Sequence, residues 1–277
     1  MDQGSDKKIH FTKAVATGND FIIIDNRKDV LKKDVSATAK KICDRRYGIG
    51  ADGLLLVEKS DKADFKMKVF NPDGSEAAMC GNGSRCIALY AYLNKIASLA
   101  MNIETRAGVI KASVKNDEVK VRLTDPKDIQ WNLCLTIKDC PYKVSFADTG
   151  VPHVIHFVND IKNIKVKDLG AQMRYHAEFS PAGANVDFVK VMGSGKNKIK
   201  VRTYERGVED ETLACGTGAV ASAIIAAEAE KLASPVIVET ESGELLKVYF
   251  KLSKGNFTDI YLEGRTKLVY EGVIEDV

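Results

Sequence analysis

The sequence predicts an α+β protein of two pseudo-symmetric halves, each a set of short strands wrapped around one buried helix. Three observations carry this. A Glu-x-x-x-Cys-Gly-x-Gly motif occurs twice, from Glu76 and from Glu211, each time ahead of a helix-forming run. Landmarks around the two copies keep their order at nearly constant spacing. Thr17 matches Thr149 at 132 residues, Asp52 matches Asn185 at 133, and Phe65 matches Ile199 at 134. Cys80 matches Cys215, and Gly108 matches Gly243, at 135. Offsets that drift by single residues are what small loop insertions in a duplicated domain leave behind. Third, residues 216–229 are Ala, Val and Ile on nearly every face, and a helix apolar all round has to be buried on all sides. The halves are expected at 1–124, completed by the C-terminal segment 266–277, and at 125–265.

In the first half, the turn Thr17-Gly18-Asn19-Asp20 separates two strands, the second holding Phe21-Ile22-Ile23-Ile24. A helix is expected over 36–43, with Ser36 as its N-cap. Residues 54–58 read as a strand entered through Gly50-Ala51-Asp52-Gly53. Over 64–70, Phe65, Met67 and Val69 alternate with Lys66 and Lys68, the period of a half-exposed strand. The Asn71-Pro72-Asp73-Gly74 turn leads to Cys80 and a helix to about residue 95. Residues 101–123 supply strands around a turn at Asn116-Asp117. The second half repeats the order. Strands near 142–146 and 154–158 flank Thr149-Gly150-Val151-Pro152, a helix covers 166–174, and strands follow at 185–191 and 198–204. The Cys215 turn, a helix to about residue 232 and strands to 262 complete it.

With 277 residues, 45% hydrophobic and 29% charged, the chain suits one large domain or two of ordinary size. A net charge of +3 on scattered lysines argues against nucleic acid or an anionic membrane as partner. The first ten residues are polar and mixed in charge, unlike a signal peptide. The longest apolar stretches fall short of a membrane span, so the expected location is cytoplasmic. Six cysteines in that setting read as reduced thiols. There is no Cys-x-x-Cys, and neither Cys80 with Cys86 nor Cys134 with Cys140 has zinc-ligand spacing, so no metal is expected. Cys43, Cys86, Cys134 and Cys140 read as small buried apolar groups.

Cys80 and Cys215 stand apart. Each sits where a helix begins, beside unsatisfied backbone N–H groups and roughly half a positive charge. That setting lowers a thiol pKa from about 8.5. Gly81, Gly83, Gly216 and Gly218 let backbone donors approach a ligand closely, so a carboxylate can be held there. A thiolate on one face of a carbon and a thiol on the other form a two-base device for inverting an α-carbon. Glu76 and Glu211 are expected to order the two turns by accepting backbone N–H groups.

Asn71-x8-Cys80-Gly-Asn-Gly-x-Arg-Cys86, with Glu205-Arg206-Gly207 and Glu211-Thr212-x-Ala214-Cys215-Gly-Thr-Gly, closely resembles the diaminopimelate epimerase family. The match extends through Gly18-Asn19-Asp20-Phe21, residues 48–53, Pro152-His153, Asn185-Val186 and Val269-Tyr270-x-Gly272, essentially end to end. The resemblance implies two halves, each a strand barrel around a central helix, and an epimerase that needs no pyridoxal phosphate or other cofactor. The implied reaction converts LL- to meso-diaminopimelate for lysine and cell-wall precursors. By similarity Cys80 and Cys215 are the acid/base pair, and Gly81-Asn82 and Gly216-Thr217 hold the reacting carboxylate. Asn19, Asn71, Asn185, Glu205 and Arg206 match substrate-binding positions, His153 and Glu205 match positions that tune the thiols, and Tyr270 matches a dimerisation tyrosine in a homodimer. Some members carry Gln at Gly53 and Asn at Val151. The competing readings are a related proline or hydroxyproline racemase, against which Arg206 and the asparagines argue, and a non-catalytic redox or metal-binding cysteine protein.

Overall fold

The structure, a computed structural model, describes residues 8–31, 34–193 and 197–275. The polar N-terminus read above lies outside the described residues as far as residue 7. The chain divides into two compact units, Met1–Val121 with Gly264–Val277, and Arg122–Glu263.

In the first unit β1 (Ile9–Ala16) and β2 (Asn19–Asp25) form a hairpin. Its turn residues Thr17 and Gly18 both have positive φ, 51° and 82°. Helix α1 (Val35–Cys43) brings the chain to β3 (Gly53–Glu58), parallel to β2. Strand β4 (Phe65–Phe70) folds back on β3, with the short β5 (Glu76–Ala77) beside it. Helix α2 (Gly81–Leu93) crosses to β6 (Ala100–Thr105), parallel to β4. Strands β7 (Gly108–Lys115) and β8 (Glu118–Arg122) follow antiparallel.

The second unit repeats this order. Strands β9 (Lys127–Ile137), β10 (Cys140–Asp148) and β11 (Pro152–Phe157) are antiparallel neighbours. Helix α3 (Val166–Arg174) and a short 3-10 turn (Ala177–Phe179) lead to β12 (Asn185–Val191), parallel to β11. Strands β13 (Lys198–Glu205) and β14 (Asp210–Thr212) precede α4 (Gly216–Glu230). Strand β15 (Val236–Glu239) lies parallel to β13, and β16 (Leu245–Ser253) and β17 (Asn256–Arg265) complete the set. The last strand, β18 (Lys267–Ile274), pairs antiparallel with β1 and so gives β1 the neighbour that β9 gives β10.

Each unit has one helix inside its sheet and one outside. Helix α2 packs on β1, β2, β3, β4, β7 and β18, and α4 on β10, β11, β12, β13, β15 and β16. Every residue of α4 over 218–227 is buried, as an all-apolar helix requires. On the outer face, Ala39, Ile42 and Cys43 of α1 join Ile22, Ile24, Leu54 and Leu56 in one cluster. Val166 and Met173 of α3 likewise join Val186, Phe188 and Tyr204. Strands covered on both faces lose the inside-outside alternation, which is why β2 and β3 are continuous apolar runs. Each such side chain contributes about 1.5–3 kcal/mol by its burial. Helix α3 lies so close to β13 that a Cβ at Gly170 would meet the Tyr204 Cβ at 2.5 Å.

Several boundaries differ from expectation, for local reasons. Asp34 caps α1, its carboxylate accepting the Ala37 N–H at 3.1 Å, while the Ser36 hydroxyl donates to the Gly74 carbonyl at 2.8 Å. A carboxylate at a helix N-terminus also gains from the helix dipole. Helices α2 and α4 end about two residues early, as Lys95 and Lys231 take left-handed φ of 57° and 53°. Strand β9 escaped notice because it is largely exposed and broken by positive φ at Asp128 and Asn132. Strand pairing also corrects one landmark. Phe21 pairs with Gly53 and His153 with Asn185, so Asn185 occupies the place of Gly53, not of Asp52.

Candidate functional site: two cysteine-capped helices

Both motif cysteines are N-caps with extended backbone, Cys80 at φ −139° and Cys215 at φ −118°. In each, Sγ accepts the N–H of the third residue on, Gly83 or Gly218, at 3.4 Å. Both side chains are half-buried. The first helical N–H groups lack partners within the helix, so each cap presents backbone donors beside a sulfur, a setting suited to a carboxylate.

Around Cys215 the second unit builds a polar cluster. The Thr217 hydroxyl lies 3.3 Å from the Cys215 sulfur and 2.9 Å from His153 Nε2. The His153 Nδ1 lies 2.7 Å from Asp187 Oδ2, and both side chains are fully buried. The Thr203 hydroxyl donates to the other Asp187 oxygen at 2.6 Å. Burial would pull the His153 pKa down, but the charge and hydrogen bond of Asp187, with Cys215 adding to them, raise it to about 10. The Thr149 hydroxyl donates to the Thr217 carbonyl at 3.0 Å and so ties down the first turn of α4.

Asn185 is nearly fully buried, its amide donating to the Pro152 carbonyl at 3.2 Å and its oxygen accepting the Arg206 N–H at 2.8 Å. The Arg206 guanidinium donates to the Gly183 carbonyl at 3.1 Å. Burial pushes the Glu205 carboxyl up. Neither motif glutamate orders its turn as expected. Glu211 takes the Arg202 guanidinium bidentately at 2.6 and 2.7 Å, and Glu76 lies 3.7 Å from the Arg106 guanidinium. A carboxylate near arginine gains more from a charge-assisted bond than from a neutral N–H.

Around Cys80 the first unit uses amides instead. Asn82 donates to the Asn19 oxygen at 2.5 Å, and Asn19 donates to Asp52 at 3.1 Å. Fully buried Arg85 donates to Asn82 at 2.7 Å and to the Thr17 hydroxyl at 2.5 Å. Arg45 bridges Asp20 and Asp52 at 2.6 and 2.7 Å, and buried Lys13 bonds Asp20 at 2.8 Å and the Gly50 carbonyl. Burial would raise the Asp20 carboxyl, but Arg45 and Lys13 together hold it well below the usual range. Asn71 stays exposed, its amide spent on the Ser75 hydroxyl at 2.9 Å within its own turn. At Gly53 a Cβ would meet the Phe70 carbonyl at 2.9 Å, so this backbone takes glycine. Tyr270 is exposed on β18 and packs edge-on to Phe11, and a Cβ at Gly272 would strike the same ring at 2.6 Å.

Sequence reasoning missed Asp187, Thr203, Thr149, Arg85 and Lys13. The available signal was a charged residue flanked by apolar ones in a strand, as at Asp187 between Val186 and Phe188.

A family model described as diaminopimelate epimerase matches residues 11–128 and 145–268. The chain is 42% identical over 276 residues to the diaminopimelate epimerase of Hydrogenobaculum sp. (strain Y04AAS1), covering 95% of this chain and 97% of that one. It is 41% identical to the diaminopimelate epimerase of Aquifex aeolicus (strain VF5), covering 97% and 98%. Among solved structures, a Bacillus anthracis phenazine biosynthesis protein of the PhzF family superposes with a TM-score of 0.74 at 18% identity, over 96% of this chain and 99% of that one. The last likeness is one of fold. No described helix is long and apolar enough to cross a membrane.

Proposed function

Because the chain belongs to the diaminopimelate epimerase family, we propose that it interconverts LL- and meso-diaminopimelate by a two-base mechanism in which Cys80 and Cys215 each serve one face of the α-carbon. The observation that carries this is the repeated cap: two thiols, each at a helix start, each accepting an N–H from the third residue. In one direction a thiolate removes the α-proton and the other thiol returns a proton to the opposite face. Backbone N–H groups of Gly81-Asn82 and Gly216-Thr217 hold the reacting carboxylate, which takes up charge as the proton leaves. Asn19, Asn71, Asn185, Glu205 and Arg206 bind the substrate, largely at its distal amino-acid end, and His153 and Glu205 tune the thiols. No cofactor enters, because the carboxylate clamp and paired thiols supply the acid, the base and the charge stabilisation. The enzyme works in the cytoplasm, in lysine and peptidoglycan-precursor synthesis, as a homodimer in which Tyr270 lies at the interface.

Incubation with LL-diaminopimelate in deuterated water should give α-deuterium exchange and meso product. Cys80→Ala and Cys215→Ala should each abolish inversion, since one base cannot serve both faces. Exchange of the α-proton of proline alone, or full turnover by either single variant, would overturn the reading.

A further inference from the structure

The duplicated fold supplies an internal control on its own buried polar groups. Strand pairing aligns Phe21 with His153 and Gly53 with Asn185, and therefore Leu55 with Asp187 two residues further on. The inner helices align the same way. Leu55 lies under Gly83, its Cδ2 3.0 Å from a Cβ built there, and Asp187 lies under Gly218, its Oδ1 2.4 Å from the equivalent Cβ. One position in the fold is thus filled by Phe and Leu in the first unit and by His and Asp in the second, and all four are buried. The fold does not require the ion pair, because the first unit closes without it. A buried ion pair generally gains little over well-packed apolar residues of similar volume. A pair kept in one copy and not the other calls for a role outside stability.

The geometry points to Asp187 as a positioning residue for Cys215: it fixes the His153 ring so that Nε2–H donates to the Thr217 hydroxyl, which in turn aims its hydrogen at the Cys215 sulfur. This inference rests on Cys215 being one of the two acid/base thiols. The line Asp187 Oδ2, His153 Nδ1, His153 Nε2, Thr217 Oγ1, Cys215 Sγ is continuous, with gaps of 2.7, 2.9 and 3.3 Å. Every member lies in the second unit.

Asp187 is locked. Its second oxygen takes the Thr203 hydroxyl at 2.6 Å, and the bare Cα of Gly218 leaves no space for it to move toward α4. The titratable groups facing His153 are Asp187 on β12, Cys215 at the start of α4, and Glu205 at the end of β13. Asn185, also on β12, meets Nε2 with its amide at 3.4 Å, and that amide donates to the Pro152 carbonyl. With both ring nitrogens protonated, Thr217 accepts from Nε2 and its own hydrogen is released for the sulfur. In turnover the sulfur takes the α-proton of the substrate, and the Thr217 hydrogen stays on its oxygen. At the matching helix position of the first unit stands Asn82, anchored by Asn19 and Arg85, so the two thiols have different supports.

The test uses the full-length protein and reads the sulfur directly. Iodoacetamide labelling at pH 7, followed by mass spectrometry on the Cys215 peptide, gives the reactivity of that thiol without any substrate. Asp187→Asn should slow Cys215 labelling by about fivefold or more, because the histidine loses its charge and the thiolate its support. The double variant His153→Phe with Asp187→Leu, which copies the first unit, should fold and show the same loss. Thr217→Val leaves the buried pair intact and should also slow labelling. With diaminopimelate, all three should lower kcat by about tenfold or more while KM stays within about threefold. Labelling of Cys215 within about twofold of wild type in Thr217→Val and in either folded Asp187 variant would overturn the inference. If wild type fails to exchange the diaminopimelate α-proton yet the variants still slow labelling, the substrate reading fails and the positioning role stands.

Discussion

Adding one methyl group at Gly218 should unlock Asp187, and the duplicated fold provides its control. In Gly218→Ala the new Cβ would sit 2.4 Å from Asp187 Oδ1, 3.1 Å from its Cγ and 3.2 Å from His153 Cε1. None of these is the loose end of a flexible side chain, since His153 and Asp187 brace each other and Thr203 holds the carboxylate. Overpacking of this kind costs about 1–3 kcal/mol. Displacing Oδ1 also weakens a charge-assisted hydrogen bond that contributes about 1.5–3 kcal/mol. Against this, alanine is favoured over glycine in a helix by about 0.5–1 kcal/mol, and by less in the first turn. The clash therefore wins, with a net loss of about 2–4 kcal/mol, at about 2–4 °C of Tm per kcal/mol for a protein of this size. In Gly83→Ala the Cβ meets the tip of Leu55 at 3.0 Å, the Cys80 Cβ at 3.4 Å and the Cys80 Sγ at 3.6 Å, the last two ordinary contacts. A leucine methyl can turn aside, so that variant should stay within about 1 kcal/mol of wild type. Thermal unfolding of both proteins checks the pair. Equal Tm values for Gly218→Ala and Gly83→Ala would refute the claim that Asp187 is rigidly held.

Two further predictions follow from buried charge. The folded His153 pKa of about 10 exceeds the 6.5 of the free side chain. Its contribution is therefore complete below pH 6.5 and is lost as pH rises toward 10. Unfolding free energy should fall across that window by an amount on the order of a few kcal/mol, and the double variant His153→Phe with Asp187→Leu should show a flatter profile of stability against pH. Lys13→Met should cost about 1–3 kcal/mol in denaturant unfolding, less than breaking a wholly isolated buried pair, since Arg45 still holds Asp20. Because the Asp20 carboxyl is held low by Arg45 and Lys13 against the pull of burial, its share of stability is present above its ordinary value of 3.8 and lost on acidification below it. That acid loss should shrink in Lys13→Met.

The cysteine turns were legible because their signals are local. A cap, two glycines and a run of small apolar residues determine a helix start and its burial without reference to the rest of the chain. The repeat itself was legible because duplication preserves order, and with it came the two inner helices and most of the strands around them. The apolar stretches of β2 and β3 were legible as strands, while the cover on both their faces came from the structure. The turn glutamates were misread because Arg202 on β13 and Arg106 in the β6–β7 turn reach them, and no spacing in the sequence measures that reach. Asn185 was matched to Asp52 because counting along the chain cannot see which residues face each other across parallel strands; pairing moved it to Gly53. The same pairing set Asp187 beneath Gly218 and brought His153 against it, although 34 residues separate the two in sequence. By itself, then, the sequence determined the repeat, the caps and the two thiols. Only the tertiary structure decided which buried groups stand behind each thiol, because hydrogen bonds across a sheet depend on register, and register is settled by packing.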